Sequence, residues 1–414
     1  MRLQSLWSQM SGLAPARLAA GAQIVIIDGQ SLALGRSASP EERRAHSHHA
    51  RAAVRQLDGL CRPDGVAVRL HGPGSLGYDA RHATGHSAAV PLANVPAAFS
   101  FSQALDLWRR RLGIARHRMF VGCHSIAGTS IHEFDRDPAH GRLGTTIRDN
   151  HARWLQEALR VAPGARPLVY GMIQGEANIA MSAPAYRAAA ARAYGDALDD
   201  IEALTGIRPP LMLWQTGGYV NAAAARPYGP VLAQLDLVRD FDAIFAGPLY
   251  PVLTFDNAVH PDLPSQLIHC EIAAYVFARR EQGRNVNLLP GRPVWQGNTL
   301  RIPFSTEDGK PLIFDPDSEY PAYGGLADHG VEAAGARVTD VALDGNAVVV
   351  TCDGPMTRVQ IALQAADMSA HADARGRNHG AHRCDIIEAD PPDSLLLPGR
   401  KLKRFIPSCR FQRP

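Results

Sequence analysis

Five short apolar runs constrain most strongly what this chain can fold into. They are QIVIID at 23–28, RMFVGC at 118–123, PLVYGMI at 167–173, PLMLWQ at 210–215 and AIFAGPLY at 243–250. A strand with one wet face alternates apolar and polar residues, whereas a continuous apolar run belongs to a strand covered on both faces. Helical patterns fill the spaces between them. SAPAYRAAAARAYGDALDDIEALTG opens with Ser182 and Pro184, aligns Tyr186, Ala190, Ala193, Ala197, Ile201 and Leu204 on one stripe, and stops at Gly206. TTIRDNHARWLQEALRVAPG, with Ile147, Trp154, Leu155 and Leu159 on one side, and LPSQLIHCEIAAYVFARR at 263–280 read the same way. Strands alternating with helices predict right-handed crossovers and an α/β fold with a doubly wound, mainly parallel five-stranded sheet in a three-layer sandwich. Sites in such sheets collect at the carboxyl ends of the strands.

The chain has 414 residues, longer than one hydrophobic core usually grows. Beyond about Gln282 the composition changes to short β-rich runs, TLRIPFS, PLIFDP, ARVTDVAL, AVVVTC and TRVQIAL, with Asp344-Gly345-Asn346 as a hairpin turn. This predicts an α/β domain over 1–284 and a smaller, all-β, sandwich-like accessory domain over 285–414. The stretch from Arg36 to His117 reads as an insertion holding a helix after Ser39-Pro40, a strand at GVAVRL and a Gly-rich surface segment.

Lys and Arg total 43 against 40 Asp and Glu, a balance with no electrostatic footprint for nucleic acid. No apolar run approaches the roughly 20 residues that cross a bilayer. The start, MRLQSLWSQMSGLAPARLAAG, lacks the apolar centre of an export signal. Six cysteines, at 61, 123, 270, 352, 384 and 409, are too sparse for a disulfide framework and contain no C-x-x-C pair. One bridge among Cys352, Cys384 and Cys409 is compatible with an oxidising compartment. His46, His48 and His49, and the WRRRLGIARHR run, read as solvated helix faces; GRNHGAHRCD reads as a loop of the β-rich region.

Polar residues follow the strands. DGQS follows the first, where Gly29 permits a sharp turn and Ser31 stands with its hydroxyl and amide in one cleft. HSIAGTSI follows the second, with Gly128 and Thr129 able to point amides at an oxyanion. The third ends in QGEAN, presenting Gln174, Glu176 and Asn178, and the fifth leads into LTFDNAVHPDLPSQ, with Asp256, Asn257 and His260. Acyl transfer needs a nucleophile, a base, an acid to orient the base, and donors for the developing oxyanion. One of each is available here.

The four motifs, DGQS, AGTS, QGEAN and DNAVHP in this order over residues 23–280, resemble the blocks of the SGNH (GDSL-like) hydrolase superfamily. The likeness is greatest to its sialate O-acetylesterase and acetylxylan-esterase-like branch, where the blocks read G-Q-S, G-G-T-S, Q-G-E-x-D and D-x-x-H-P. The resemblance implies that Ser31 is the nucleophile and His260 the general base. The Ser31 and Gly128 amides and the Gln174 side chain would form the oxyanion hole. Three departures stand out: Ala127 for the first Gly of the second block, Asn178 for the acid closing the third, and Asn257 three before His260, where Asp is usual. Glu176 and Asp256 are therefore rival orienting acids, with a backbone carbonyl or Asn257 as the remaining alternative, and Asp28, Gln30, Thr129, Asn178 and Asn257 are supporting residues. The implied activity is removal of acetyl or other short acyl esters from a carbohydrate, with no metal or organic cofactor. Trp214, Tyr219 and Trp295 are candidates to stack on a sugar. The rival readings are a non-catalytic glycan-binding or assembly component on the same fold and an O-acyltransferase.

Overall fold

The structure, a computed structural model, describes residues 21–34, 36–37, 94–95, 97–117, 119–125, 128–137, 146–161, 163–217, 228–251, 254–255, 261–317, 327–363, 378–379 and 384–414. Several sequence expectations lie outside these residues: the helix after Ser39-Pro40, the strand at GVAVRL and its Gly-rich neighbour, His46 to His49, Cys61, Tyr219, Asp256, Asn257 and His260.

All five apolar runs are strands: β1 (Gln23–Gly29), β2 (Met119–Gly122), β3 (Arg166–Ile173), β4 (Leu211–Gln215) and β5 (Ile244–Pro248). They form one parallel sheet in the order β2-β1-β3-β4-β5, the flavodoxin-like doubly wound arrangement. Ile24, Val25, Ile26 and Ile27 of β1 are all buried. Each such side chain contributes roughly 2 kcal/mol of burial free energy, so neither face of β1 can be left in water.

The connecting helices are α1 (Ser31–Leu34), α2 (Ala97–Leu112), α3 (Thr146–Val161), α4 (Ala183–Thr205), α5 (Gly229–Asp240) and α6 (Leu263–Glu281). The α4 stripe is buried as its spacing predicts through Ile201, with Leu204 half-buried. Asp262 caps α6, its carboxylate accepting the Ser265 amide at 2.9 Å. In α2 the expectation of a wholly exposed arginine run fails at Arg109, which is buried and donates to the Gln23 side chain at 2.7 Å. Arg110 and Arg111 are exposed.

The chain divides into two compact units, Met1–Met172 with Arg192–Leu211, and Ile173–Ala191 with Met212–Pro414. The second contains the β-rich region. There β6 (Val294–Gln296), β7 (Thr299–Pro303), β10 (Val338–Asp344) and β11 (Ala347–Cys352) make an antiparallel sheet in the order β10-β11-β7-β6. Asp344 pairs with Ala347 across the hairpin. Strands β9 (Val331–Ala334), β12 (Arg358–Ile361) and β14 (Cys409–Gln412) form a second sheet, and β8 (Leu312–Phe314) pairs with β13 (Ile386–Glu388).

Within this unit the last residues of the chain interlock with β4 and α6. The Gln215 side chain donates to the Ser408 carbonyl and accepts the Ser408 amide, both at 2.8 Å. Tyr250 donates to the Ile406 carbonyl at 2.8 Å, and the buried Glu271 carboxylate accepts from Ser394 and from the Leu395 and Leu396 amides.

No bridge joins Cys352, Cys384 and Cys409; these, with Cys123 and Cys270, are free, buried thiols. Burial pushes the Cys384 thiol up to about 12, far from the reactive thiolate. No described helix is long and apolar enough to cross a membrane.

Candidate active site

At the carboxyl end of β1, Gly29 has a φ of 150°, a region that side chains rarely adopt, and the chain turns there into α1. Residues 24–30 are buried and so are Leu32 and Ala33; Ser31 between them is half-exposed. The apolar neighbours anchor the turn, so the serine is the residue presented outward.

Asp28, just before the turn, is 1% exposed. Its Oδ1 accepts the His124 amide at 2.7 Å and lies 3.1 Å from His124 Nδ1, while Oδ2 lies 3.7 Å from His151 Nδ1. Burial alone would raise this carboxyl, but the charge and hydrogen bonds of His124, together with His151, outweigh it and hold Asp28 below the usual carboxylate range. His151 is pushed down to about 3, first by burial. The His124 and His151 rings stack at 5.0 Å, and Trp154 packs edge-on to His124 at 5.4 Å.

Asp28, His124 and His151 are the group among the described residues whose ligand atoms could surround a cation, all lying within 4.8 Å of one another. Their geometry is poor for it. Stacked rings at an interplanar angle of 5° send their in-plane lone pairs side by side instead of converging on one point, as a tetrahedral ion requires. One carboxylate oxygen is already engaged by the His124 amide. The arrangement suits a buried carboxylate–imidazole pair.

After β2, Ser125 and Thr129 are buried and Gly128 is exposed, with a left-handed φ of 69°. Ala127 lies outside the described residues.

After β3, in the second unit, Gln174 is held on every side. Its Oε1 accepts from Tyr186 at 2.6 Å and its Nε2 donates to Asn178 at 2.5 Å. Its carbonyl accepts from Gln234 Nε2 at 2.7 Å and from Thr216 Oγ1 at 3.1 Å. Gly175 follows with φ 152°, and a Cβ there would stand 1.9 Å from Thr216 Oγ1, so no other residue fits. Glu176 and Asn178 are buried in the short turn Glu176–Asn178. Asn178, where an acid was expected, still offers the oxygen that Gln174 needs. Tyr186, Thr216 and Gln234 are missed by motif reading; their signal is only that they are polar residues on otherwise buried faces.

Of the remaining candidates, Gln30 is buried beside Ser31. Trp214 is 1% exposed and packs edge-on to His269, so it belongs to the core and cannot stack on a sugar. Trp295 is half-buried, with the Arg413 guanidinium 6.0 Å from its ring centre. Thr254–Phe255, just before the Asp256 to His260 segment, pairs antiparallel with Asn378–His379 of the Gly- and His-rich stretch.

The sheet order defines a doubly wound α/β fold with a five-stranded parallel sheet, carrying a smaller β region. Among solved structures, the chain is similar to a carbohydrate acetylesterase from Xanthomonas citri, at a TM-score of 0.56 and 17% identity over 95% of this chain and 81% of that one. It is also similar to a protein from Arabidopsis thaliana (TM-score 0.40, 15% identity, 62% of this chain and 98% of that one). A candidate GDSL-like lipase from Parabacteroides merdae matches at a TM-score of 0.34 and 10% identity, over 62% of this chain and 96% of that one. At these identities the likeness is one of fold. No protein-family model matches the chain, and no curated protein matches it.

Proposed function

We propose that the protein is a serine esterase that removes O-acetyl or other short acyl groups from a carbohydrate. The observation that carries this reading is Ser31, half-exposed between buried neighbours directly after the Gly29 turn at the end of β1. The fold likeness to a carbohydrate acetylesterase supports it.

In the proposed reaction His260 takes the Ser31 proton as Oγ attacks the ester carbonyl. The Ser31 and Gly128 amides and the Gln174 side chain receive the oxyanion. His260 then returns the proton to the departing sugar hydroxyl. Water, deprotonated by the same imidazole, attacks the acyl-serine, and as the acyl–Oγ bond breaks the carboxylate leaves and the imidazolium returns the proton to Ser31 Oγ. The tight fixation of Gln174 by Tyr186 and Asn178 favours it as a donor, since a preorganised dipole need not reorient when charge develops. Glu176 or Asp256 orients His260.

The test is acetate release from p-nitrophenyl acetate and from a panel of acetylated glycans. Ser31→Ala and His260→Ala should each lower kcat by at least about a thousandfold while leaving Tm nearly unchanged. Of Glu176→Gln and Asp256→Asn, only the orienting acid should lose orders of magnitude in kcat. Turnover by Ser31→Ala at the native rate would rule the mechanism out. Glycan binding without hydrolysis would favour the non-catalytic reading, and acyl transfer outrunning hydrolysis when an acceptor sugar is added would favour the acyltransferase.

A further inference from the structure

We propose that Asp28 is a positioning residue for the oxyanion hole, fixing the exit of β2 against the Ser31 turn. This rests on the esterase reading above.

A carboxylate at the end of a buried strand is expensive, because desolvation costs several kcal/mol per ion unless it is well paired. An apolar residue at position 28 would continue the run begun at Ile24 and avoid that cost. What Asp28 supplies instead is a charged acceptor for one specific backbone group, the His124 amide at 2.7 Å. A hydrogen bond to an ionised acceptor is roughly twice as strong as one between neutral groups. The ring of the same histidine lies 3.1 Å from the same oxygen and is confined by the stacked His151 and by Trp154, so residue 124 is held through both backbone and side chain.

A second tie acts on the other side of the serine. Cys123 Sγ lies 3.6 Å from the Ala33 carbonyl and 3.2 Å from Ser125 Oγ. Residues 123 and 124 are thereby bonded to positions 33 and 28, which bracket Ser31 in sequence. Gly128 follows His124 by four residues. The two backbone amides assigned to the oxyanion hole come from segments joined by these two ties, and Asp28 provides the stronger one. A shift of a few tenths of an ångström between such donors is enough to weaken transition-state binding while hardly affecting the neutral ester.

The experiment compares native protein with Asp28→Asn, which preserves shape and removes the charge, and with Asp28→Ala, at a temperature where circular dichroism shows the variants folded. Kinetics on p-nitrophenyl acetate are measured together with inhibition by methylboronic acid, whose tetrahedral serine adduct reads the same donors. Asp28→Asn should lower kcat at least tenfold and Asp28→Ala about a hundredfold, with KM within threefold. The boronate Ki should rise in step with the fall in kcat/KM. Merely loosened folding would not produce that split. If Asp28→Ala does not fold, Asp28→Asn decides alone: a native kcat and Ki in that variant overturn the proposal. Failure of the esterase reading itself is recognised separately, by absence of turnover in the native protein or native activity in Ser31→Ala.

Discussion

Tyr186 shows how much depends on single hydroxyls. Its oxygen lies 2.6 Å from Gln174 Oε1 and 3.1 Å from the Gln174 carbonyl, and its proton turns the amide so that Nε2 faces Asn178. Tyr186→Phe should cost about 1 kcal/mol of stability. It should lower kcat roughly tenfold at unchanged KM, because an amide free to rotate is a poorer oxyanion donor. An unchanged kcat in a folded Tyr186→Phe protein would remove Gln174 from the proposed machinery. In the sequence Tyr186 is legible only as one member of an apolar stripe. Periodicity gives the direction of a side chain, and that direction is right; it cannot say that the buried end of a tyrosine on α4 meets a glutamine just after β3. The Gln174 and Ser31 positions are legible because each follows an apolar run, Gln174 next to Gly175 and Ser31 two residues after Gly29.

At the level of elements, α3 and α6 each carry a histidine on the buried face. His151 stands four residues after Ile147 and three before Trp154, on the same stripe, and His269 is nearly two turns into α6. Burial pushes both down to about 3. In the unfolded chain a histidine protonates near 6.5, so below that pH the unfolded state binds protons that the folded state refuses. Stability is therefore full above about pH 6.5 and falls as the pH drops toward 3, by about 1.4 kcal/mol per pH unit for each histidine. Asp28 adds to the same side: its lowered carboxyl contributes stability above the unfolded value and loses it as the pH falls through the folded one. Urea midpoints should hold level from pH 7.5 to about 6.5 and then decline steadily to pH 4.5, and His269→Phe should make the decline shallower. A midpoint independent of pH over that range would contradict this account. The helices themselves were legible from spacing and stop signals; the histidines were passed over because a polar residue interrupts an apolar pattern without revealing whether it faces in or out.

At the scale of the whole molecule, the change of composition after Gln282 marks a change from helices and parallel strands to antiparallel strands. It does not reveal how deeply the later residues are built into the earlier ones. Gln215, which also donates to the Val231 carbonyl at 3.0 Å, Tyr250 and Glu271 all find partners between residues 394 and 408, and all are buried. A chain ending at 284 would remove the partners that these three groups have in residues 394–408, at about 1–3 kcal/mol for each neutral group and more for the charge. Residues 1–284 expressed alone should give no cooperative thermal transition; a transition at the native temperature would show that these bonds are dispensable. Such long-range pairs leave no local signature, since Gln215 and Ser408 are separated by 193 positions.

The same bonds set a timetable for synthesis. A ribosome adds residues at roughly 5–20 per second, so β4 emerges about 10 to 40 seconds before residue 408 is made. Throughout that interval Gln215 has the Val231 carbonyl but not the Ser408 backbone that completes its bonding. The nascent chain can assemble β1 to β3 early, but its second half must wait, exposed and incomplete, for almost the last residues to arrive. Slower translation of the β-rich region would lengthen the period in which this chain is open to aggregation.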